Sequence, residues 1–216
     1  MRHHQSKNRR VIASLLTTFF LLQQSMVVPA FATEIGGGTT GWVQGNNGVY
    51  NVDPTALSGN VGIRQYEKFD LSAGDIANLV FKYGNVDIET FVNLVDNQIN
   101  INGIVNSVRD GNFYNGRAVF VSPNGMVVGA SGVLNVGSLH VATPNPTDFN
   151  AYKGSPSAAG LPSLLESKGT GAVTINGKVF TSDSLNTTQV KKGDGTVVET
   201  YEPGAVVDAG SVNVGP

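Results

Sequence analysis

Cysteine is missing altogether, tryptophan occurs once, and only 14% of the residues are charged. Without cysteine the chain has no disulfide and no thiolate nucleophile, and the usual zinc sites lose their main ligand. Of three histidines, His3 and His4 lie at the extreme amino end, so a Ser-His-Asp triad would have to use His140. Basic clusters are absent beyond the first ten residues, which argues against nucleic acid as a partner. A protein built this way must hold itself together by backbone pairing and a packed core alone.

What is present begins with a leader-like segment. Arg2, Lys7, Arg9 and Arg10 precede a largely apolar run from Val11 to Val28, and Pro29-Ala30-Phe31-Ala32 supplies an Ala-x-Ala site. A basic stretch, an apolar stretch and small residues at Ala30 and Ala32 predict a secretory signal peptide over 1–32, with the mature chain starting near Thr33. An uncleaved membrane anchor is the competing reading, and Gln23, Gln24 and the cleavage site argue against it. Removing the leader leaves ten basic residues against sixteen acids, a net charge of −6.

The rest is organised around Arg117–Thr143, where short apolar runs are cut by compact turns. Ser122-Pro123-Asn124-Gly125 has the residues of a type I β-turn, and Gly129-Ala130-Ser131-Gly132 makes a second corner one short strand later. Strand, corner, strand, corner is how a chain winds through a β-solenoid. Asn102-Gly103, Asp110-Gly111 and Asn115-Gly116 mark further corners. Asn in successive coils would stack into hydrogen-bonded ladders.

Elsewhere the pattern is mixed. Thr33–Thr40, with three consecutive glycines, reads as loose, and Gly41–Val52 as strands capping the exposed end of the coil. Between Ser72 and Val80 a helix and a strand fit equally well. Residues 146–170 read as a Pro/Gly/Ser-rich excursion with a short helix from Pro162 to Lys168. Residues 171–216 read as further coils, interrupted by a hairpin around Gly193-Asp194-Gly195. Ile101-Asn102-Gly103 is echoed at Ile175-Asn176-Gly177, and Asn135-Val136-Gly137 at Asn213-Val214-Gly215, compatible with coils of roughly 20 to 25 residues. The chain stops at Pro216 just after a strand, so a longer repeat protein is expected to continue from it.

Val119–Gly129 resembles the Asn-Pro-Asn-Gly-Ile core of the two-partner secretion domain, found at the amino end of filamentous-haemagglutinin-type exoproteins. Ser122 stands where the family has Asn and Met126 where it has Ile. Ala130–Leu139 resembles the next strand, including Asn135 and Gly137. Phe91-Val92-Asn93-Leu94-Val95 and Ile101-Asn102-Gly103-Ile104 are similar to the two strands before the motif. The family's second short motif, Asn-Pro-Asn-Leu, is absent. The resemblance spans about residues 41–145, the core of a domain running over 33–145, and within the family it is greatest to large filamentous adhesins.

The resemblance implies an all-β fold, a right-handed parallel β-helix with an amino-terminal β cap and short hairpin or helix excursions. It implies secretion to the surface through a dedicated outer-membrane β-barrel transporter, with Ser122, Pro123, Asn124, Gly125 and Met126 as the secretion motif. Phe91, Asn93, Asn102, Gly103, Asn135 and Gly137 are its supporting positions. Neither cofactor nor metal nor catalysis is implied. A host-cell or matrix receptor would be met by a region downstream.

Two other functions fit a β-helix: a polysaccharide-degrading enzyme and an autotransporter passenger. The first needs carboxylates gathered about 5 to 9 Å apart. Asp87 with Glu89, or Asp194 with Glu199, are the available pairs, at ordinary surface spacing. Lys192-Gly193-Asp194 looks like an integrin-binding tripeptide, but a hairpin turn accounts for it. The Ser122–Gly125 turn is itself, by residue chemistry alone, a plain corner.

Overall fold

The computed structural model describes residues 32–181, 187–191, 197–201 and 212–214. They form a parallel β-solenoid. Before the first full coil come four short strands, β1 (Glu34–Gly36), β2 (Gly45–Asn46), β3 (Val49–Val52) and β4 (Ala56–Ser58). Coil one contains β5 (Val61–Tyr66), β6 (Lys68–Leu71) and β7 (Ile76–Val80), followed by a side hairpin of β8 (Lys82–Tyr83) and β9 (Val86–Asp87). Coil two contains β10 (Thr90–Val95), β11 (Ile99–Ile101) and β12 (Ile104–Arg109), with β13 (Asn112–Phe113) folded back on β12. Coil three is β14 (Arg117–Val121), β15 (Met126–Val128) and β16 (Val133–Asn135).

Coil four opens with β17 (Ser138–Ala142), detours through helices α1 (Pro146–Gly154) and α2 (Leu161–Glu166), and resumes with β18 (Val173–Ile175) and β19 (Lys178–Phe180). A hairpin of β20 (Thr187–Lys191) and β21 (Val197–Tyr201) follows, and β22 (Val212–Val214) pairs in parallel with β17.

Stacking generates three sheets. We call them the first (β5, β10, β14, β17, β22), the second (β6, β11, β15, β18) and the third (β3, β7, β12, β16, β19), all parallel within themselves. In the first sheet, paired positions step from Val61 to Thr90, Arg117 and Ser138. Coils therefore span roughly 20 to 30 residues, somewhat longer than the sequence echoes imply, because side hairpins lengthen coils one and two.

The amino-terminal edge of every sheet is closed by an antiparallel strand: β4 on β5, β1 on β6 and β2 on β3. The closing strands are only two or three residues long, so the edge they leave offers another chain little backbone to pair with. The glycine-rich start is thus not loose. Glu34–Gly36 is laddered to Lys68–Asp70, and a 3-10 turn follows at Gly38–Thr40. Beneath this cap lies Arg64, 8% exposed. Its guanidinium donates to the carbonyls of Asp53 (3.0 Å), Thr40 (3.4 Å) and Gly41 (3.4 Å) and lies 5.6 Å from the Tyr66 ring centre.

The interior is filled by residues at alternate strand positions. Tyr66, Phe69 and Phe120 form an edge-to-face row with 5.4 Å between successive ring centres, and Phe81 meets Phe91 at 6.0 Å. Each such pair adds about 0.5–1.5 kcal/mol to the burial of its surface. The β10 run Phe91-Val92-Asn93-Leu94-Val95 is buried on both faces: Phe91 and Val95 belong to the interior, Val92 and Leu94 to a second cluster outside the coil. Phe149, Tyr152, Leu161 and Leu164 of the helical detour complete that outer cluster.

The segment where helix and strand fitted equally is strand β7. Its Ala77 and Leu79 are buried between half-buried neighbours, and its N–H and C=O groups ladder to β3 and β12 on either side. A helix there would forfeit both ladders. The helical detour is larger than the single short helix expected from Pro162 to Lys168. The additional helix, α1, starts at the Asn145 cap, whose side chain accepts from the Asp148 N–H, with proline in the first turn. The hairpin strands around Gly193 are present, but the turn and the Lys192-Gly193-Asp194 tripeptide lie outside the described residues.

Candidate functional site

The Ser122–Gly125 segment is a hydrogen-bonded turn between the first and second sheets. The Gly125 N–H donates to the Ser122 carbonyl (3.1 Å), and the Asn124 N–H to the Ser122 hydroxyl oxygen (3.1 Å). Serine therefore suits the first position as asparagine would, since its side-chain oxygen satisfies a turn amide. Gly125 has φ +85°, which favours glycine.

The turn is packed on both sides. Below it lies the coil-two corner: the Ser122 hydroxyl donates to the Asn97 carbonyl (2.8 Å) and the Asn124 amide to the Asp96 carbonyl (2.6 Å). The Asp96 and Asn97 N–H groups in turn donate to Tyr66 and Glu67 of coil one (3.0 and 3.2 Å). Above it runs the returning end of the detour. The Met126 N–H donates to the Ala172 carbonyl (3.0 Å), and a Cβ on Gly125 would stand 2.1 Å from that oxygen. A Cβ on Gly171 would stand 2.5 Å from the Pro123 carbonyl.

This packing divides the five motif residues. Ser122, Gly125 and Met126 are buried, with Met126 in the coil interior, Pro123 is half-buried, and Asn124 is exposed. In the folded coil only Asn124 and part of Pro123 are accessible to a partner.

The supporting positions do not gather around the turn. Phe91 packs inside coil two. Asn93 is buried inside the same coil, where it accepts from the Tyr66 hydroxyl (2.6 Å) and donates to the carbonyls of Val119 (3.1 Å) and Phe91 (3.3 Å). Burial pushes the Tyr66 hydroxyl well above the usual phenol range, keeping it a donor. Asn102 and Gly103 form the corner between the second and third sheets, where a Cβ on Gly103 would meet the Asp75 and Ser72 carbonyls at 2.3 and 2.5 Å. Gly137 is equally tight against the Asn115 backbone. Ala30 lies outside the described residues, and Ala32 is exposed in irregular backbone.

Asn135 ends an asparagine ladder on the outer face of the third sheet. Side-chain amides link Asn78 to Asn51 (3.0 Å), Asn106 to Asn78 (3.2 Å) and Asn135 to Asn106 (2.9 Å), at separations of 27, 28 and 29 residues. Ladders were anticipated at corners, and this one runs along strand faces instead. Its signal in the sequence is the near-constant spacing of the four asparagines. No local signal in the sequence links Asp96 and Asn97 to the turn, or Tyr66 to Asn93, because only the coil register brings them close.

His140 is half-buried on β17, with Nδ1 3.2 Å from an Arg117 guanidinium nitrogen. Burial, reinforced by Arg117, lowers its pKa. Asp87 is engaged by Arg109 at 3.6 Å and Glu89 by the Asn60 amide at 2.6 Å. A depression of about 450 Å³ lies against the third sheet, lined by Asn106, Ser107, Val108, Phe113, Val133, Asn135 and Phe180, none of them titratable. Among the described residues no group of three or more His, Asp or Glu is placed to hold a metal ion, and no helix is long and apolar enough to cross a membrane. Comparison with family models, with characterised proteins and with solved structures finds no match to this chain.

Proposed function

We propose that this chain is the amino-terminal secretion domain of a surface-exposed, filamentous-haemagglutinin-like adhesin. An outer-membrane β-barrel transporter receives it from the periplasm after removal of residues 1–32, and the domain then nucleates the β-helix of the chain that follows. The observation that carries this reading is the Ser122–Gly125 turn as a built corner of a capped, cysteine-free parallel solenoid. A coil whose contacts run mainly to its neighbours can form progressively as a chain emerges, and no disulfide can lock it beforehand.

The motif's roles separate by accessibility. Ser122, Gly125 and Met126 act in the folded coil by closing the corner. Asn124 is the residue a partner can read in either the threaded or the coiled state. Replacing Asn124 with Ala removes one exposed amide and one hydrogen bond to Asp96, at a cost near 1 kcal/mol. The test compares surface yield with periplasmic level when the chain is co-expressed with its transporter. Asn124→Ala should accumulate in the periplasm with an intact β spectrum. Normal surface yield would sink the recognition role of Asn124, and release of sugar from polysaccharide by the purified protein would favour an enzyme instead.

A further inference from the structure

Among the described residues, the solenoid's contacts run mostly from one coil to the next, and one segment departs from this. The detour between Thr143 and Gly169 leaves coil four and lies back across the first sheet. Register aligns Ile63, Val92 and Val119 in one outward column and Leu94, Val121 and Ala142 in the next. Phe149 and Tyr152 of α1 and Leu161 and Leu164 of α2 are buried with these columns. The polar ties reach further back. Gln65 donates to the Lys153 carbonyl (3.0 Å, 88 residues apart), Lys153 pairs with Asp96 (57 apart), and the Ala158 N–H donates to the Ser58 hydroxyl oxygen (2.9 Å, 100 apart). Coil four is thereby joined directly to coil two, coil one and the cap strand β4.

The root of the detour is also fixed. Asn145 donates to Asp148 (2.6 Å) and Ser167 (3.0 Å), and the Ser167 hydroxyl donates to Asp148 (2.6 Å), so both ends of the segment are tied together. Helix α1 has nine residues and α2 six. Helices this short are marginal in water and form on an apolar surface that already exists. That surface is made only when β5, β10 and β14 have paired.

We infer that residues 144–169 are a clasp that closes after coils one to three have stacked, and that closing it converts an array of neighbouring coils into one cooperative unit. A one-dimensional stack opens from either end, coil by coil. A link from coil four to β4 forces the intervening coils to open together. The inference needs no transporter and stands apart from the proposed secretion role.

The absence of native cysteine gives a clean test on the purified protein. The double variant Ser58→Cys with Ala158→Cys places the only two thiols of the chain at the tip of the clasp and on β4. Amide hydrogen exchange is then followed strand by strand, oxidised against reduced. Oxidation should slow exchange at least tenfold not only in β5, β10 and β14 but equally in β7 and β12, which lie in the third sheet away from the clasp. Phe149→Ala, which loosens the clasp, should speed exchange in those same five strands by a common factor. Slowing or speeding confined to the strands beneath the helices, or no change on oxidation, would overturn the inference. Should Phe149→Ala fail to fold, the oxidised-to-reduced comparison decides alone.

Discussion

The Tyr66–Asn93 hydrogen bond joins coil one to coil two inside a core where both residues are almost wholly buried, at 1% and 0% exposure. Replacing Tyr66 with Phe leaves the Asn93 carbonyl oxygen without its donor. Replacing Asn93 with Leu, which keeps the branched outline of four side-chain heavy atoms, leaves the Tyr66 hydroxyl without an acceptor and removes an amide donor from the Val119 carbonyl. An orphaned buried group costs about 1–3 kcal/mol, whereas removing both partners together is far cheaper. Each single variant should therefore lose about 1–3 kcal/mol. The double variant should cost less than the sum of the two by about 1–2 kcal/mol. Urea unfolding measures this directly: with a slope near 2 kcal/mol/M, each single change shifts the midpoint by roughly 0.5–1.5 M at constant slope. Additive costs within about 0.5 kcal/mol would refute the idea that the two side chains act as a pair.

Other expectations follow from the corner, the ladder and the histidine. Gly125→Ala places a methyl 2.1 Å from the Ala172 carbonyl oxygen at a positive φ, so it should lower stability by about 2 kcal/mol or more in the same urea assay. Asn106, which bonds both Asn78 and Asn135, should cost about 1–2 kcal/mol on change to Ala, against about 0.5–1 for terminal Asn135; equal costs would deny the ladder an energetic role. His140 has a lowered pKa in the fold, so the unfolded chain binds its proton more readily. Its contribution to stability is present above pH 6.5 and falls as pH drops below that value. Melting temperature followed from pH 7.5 to 5 should decline, and His140→Gln should flatten that decline.

Much of the architecture was legible because corners and strands leave local marks. Asn102-Gly103 and Ile175-Asn176-Gly177 occupy the same corner of coils two and four, as their echo implied. The second echo misled. Asn135 lies in the third sheet and Asn213 in the first, opposite His140, so the match does not mark an equivalent place in the coil. Ser122–Gly125 was readable as a turn from Pro123 and Gly125. Its partners Asp96, Asn97, Gly171 and Ala172 were not, because register alone decides which corners lie above and below. The β10 run Phe91-Val92-Asn93-Leu94-Val95 was readable as resembling a strand of the family, yet nothing local to it marked both its faces as buried or identified the helices at 146–166 as the cover.

The corners differ in what they admit. Between the second and third sheets, Gly103, Gly132 and Gly177 stack in successive coils, and a methyl on any of them would come within 2.2 to 2.4 Å of a backbone oxygen. At those three positions the edge is a seam closed to any Cβ, while Ala130 and Ser131 beside them stay exposed. Between the third and first sheets the same chain carries the hairpins at 82–87 and 109–113, whose tip glycines Gly84 and Gly111 have nothing within 4 Å of an added Cβ. Foreign peptides grafted at those two tips would be carried on adjacent coils, at the corner between the third and first sheets. The solenoid thus has one corner where glycines let its coils close on each other and another that is open to display.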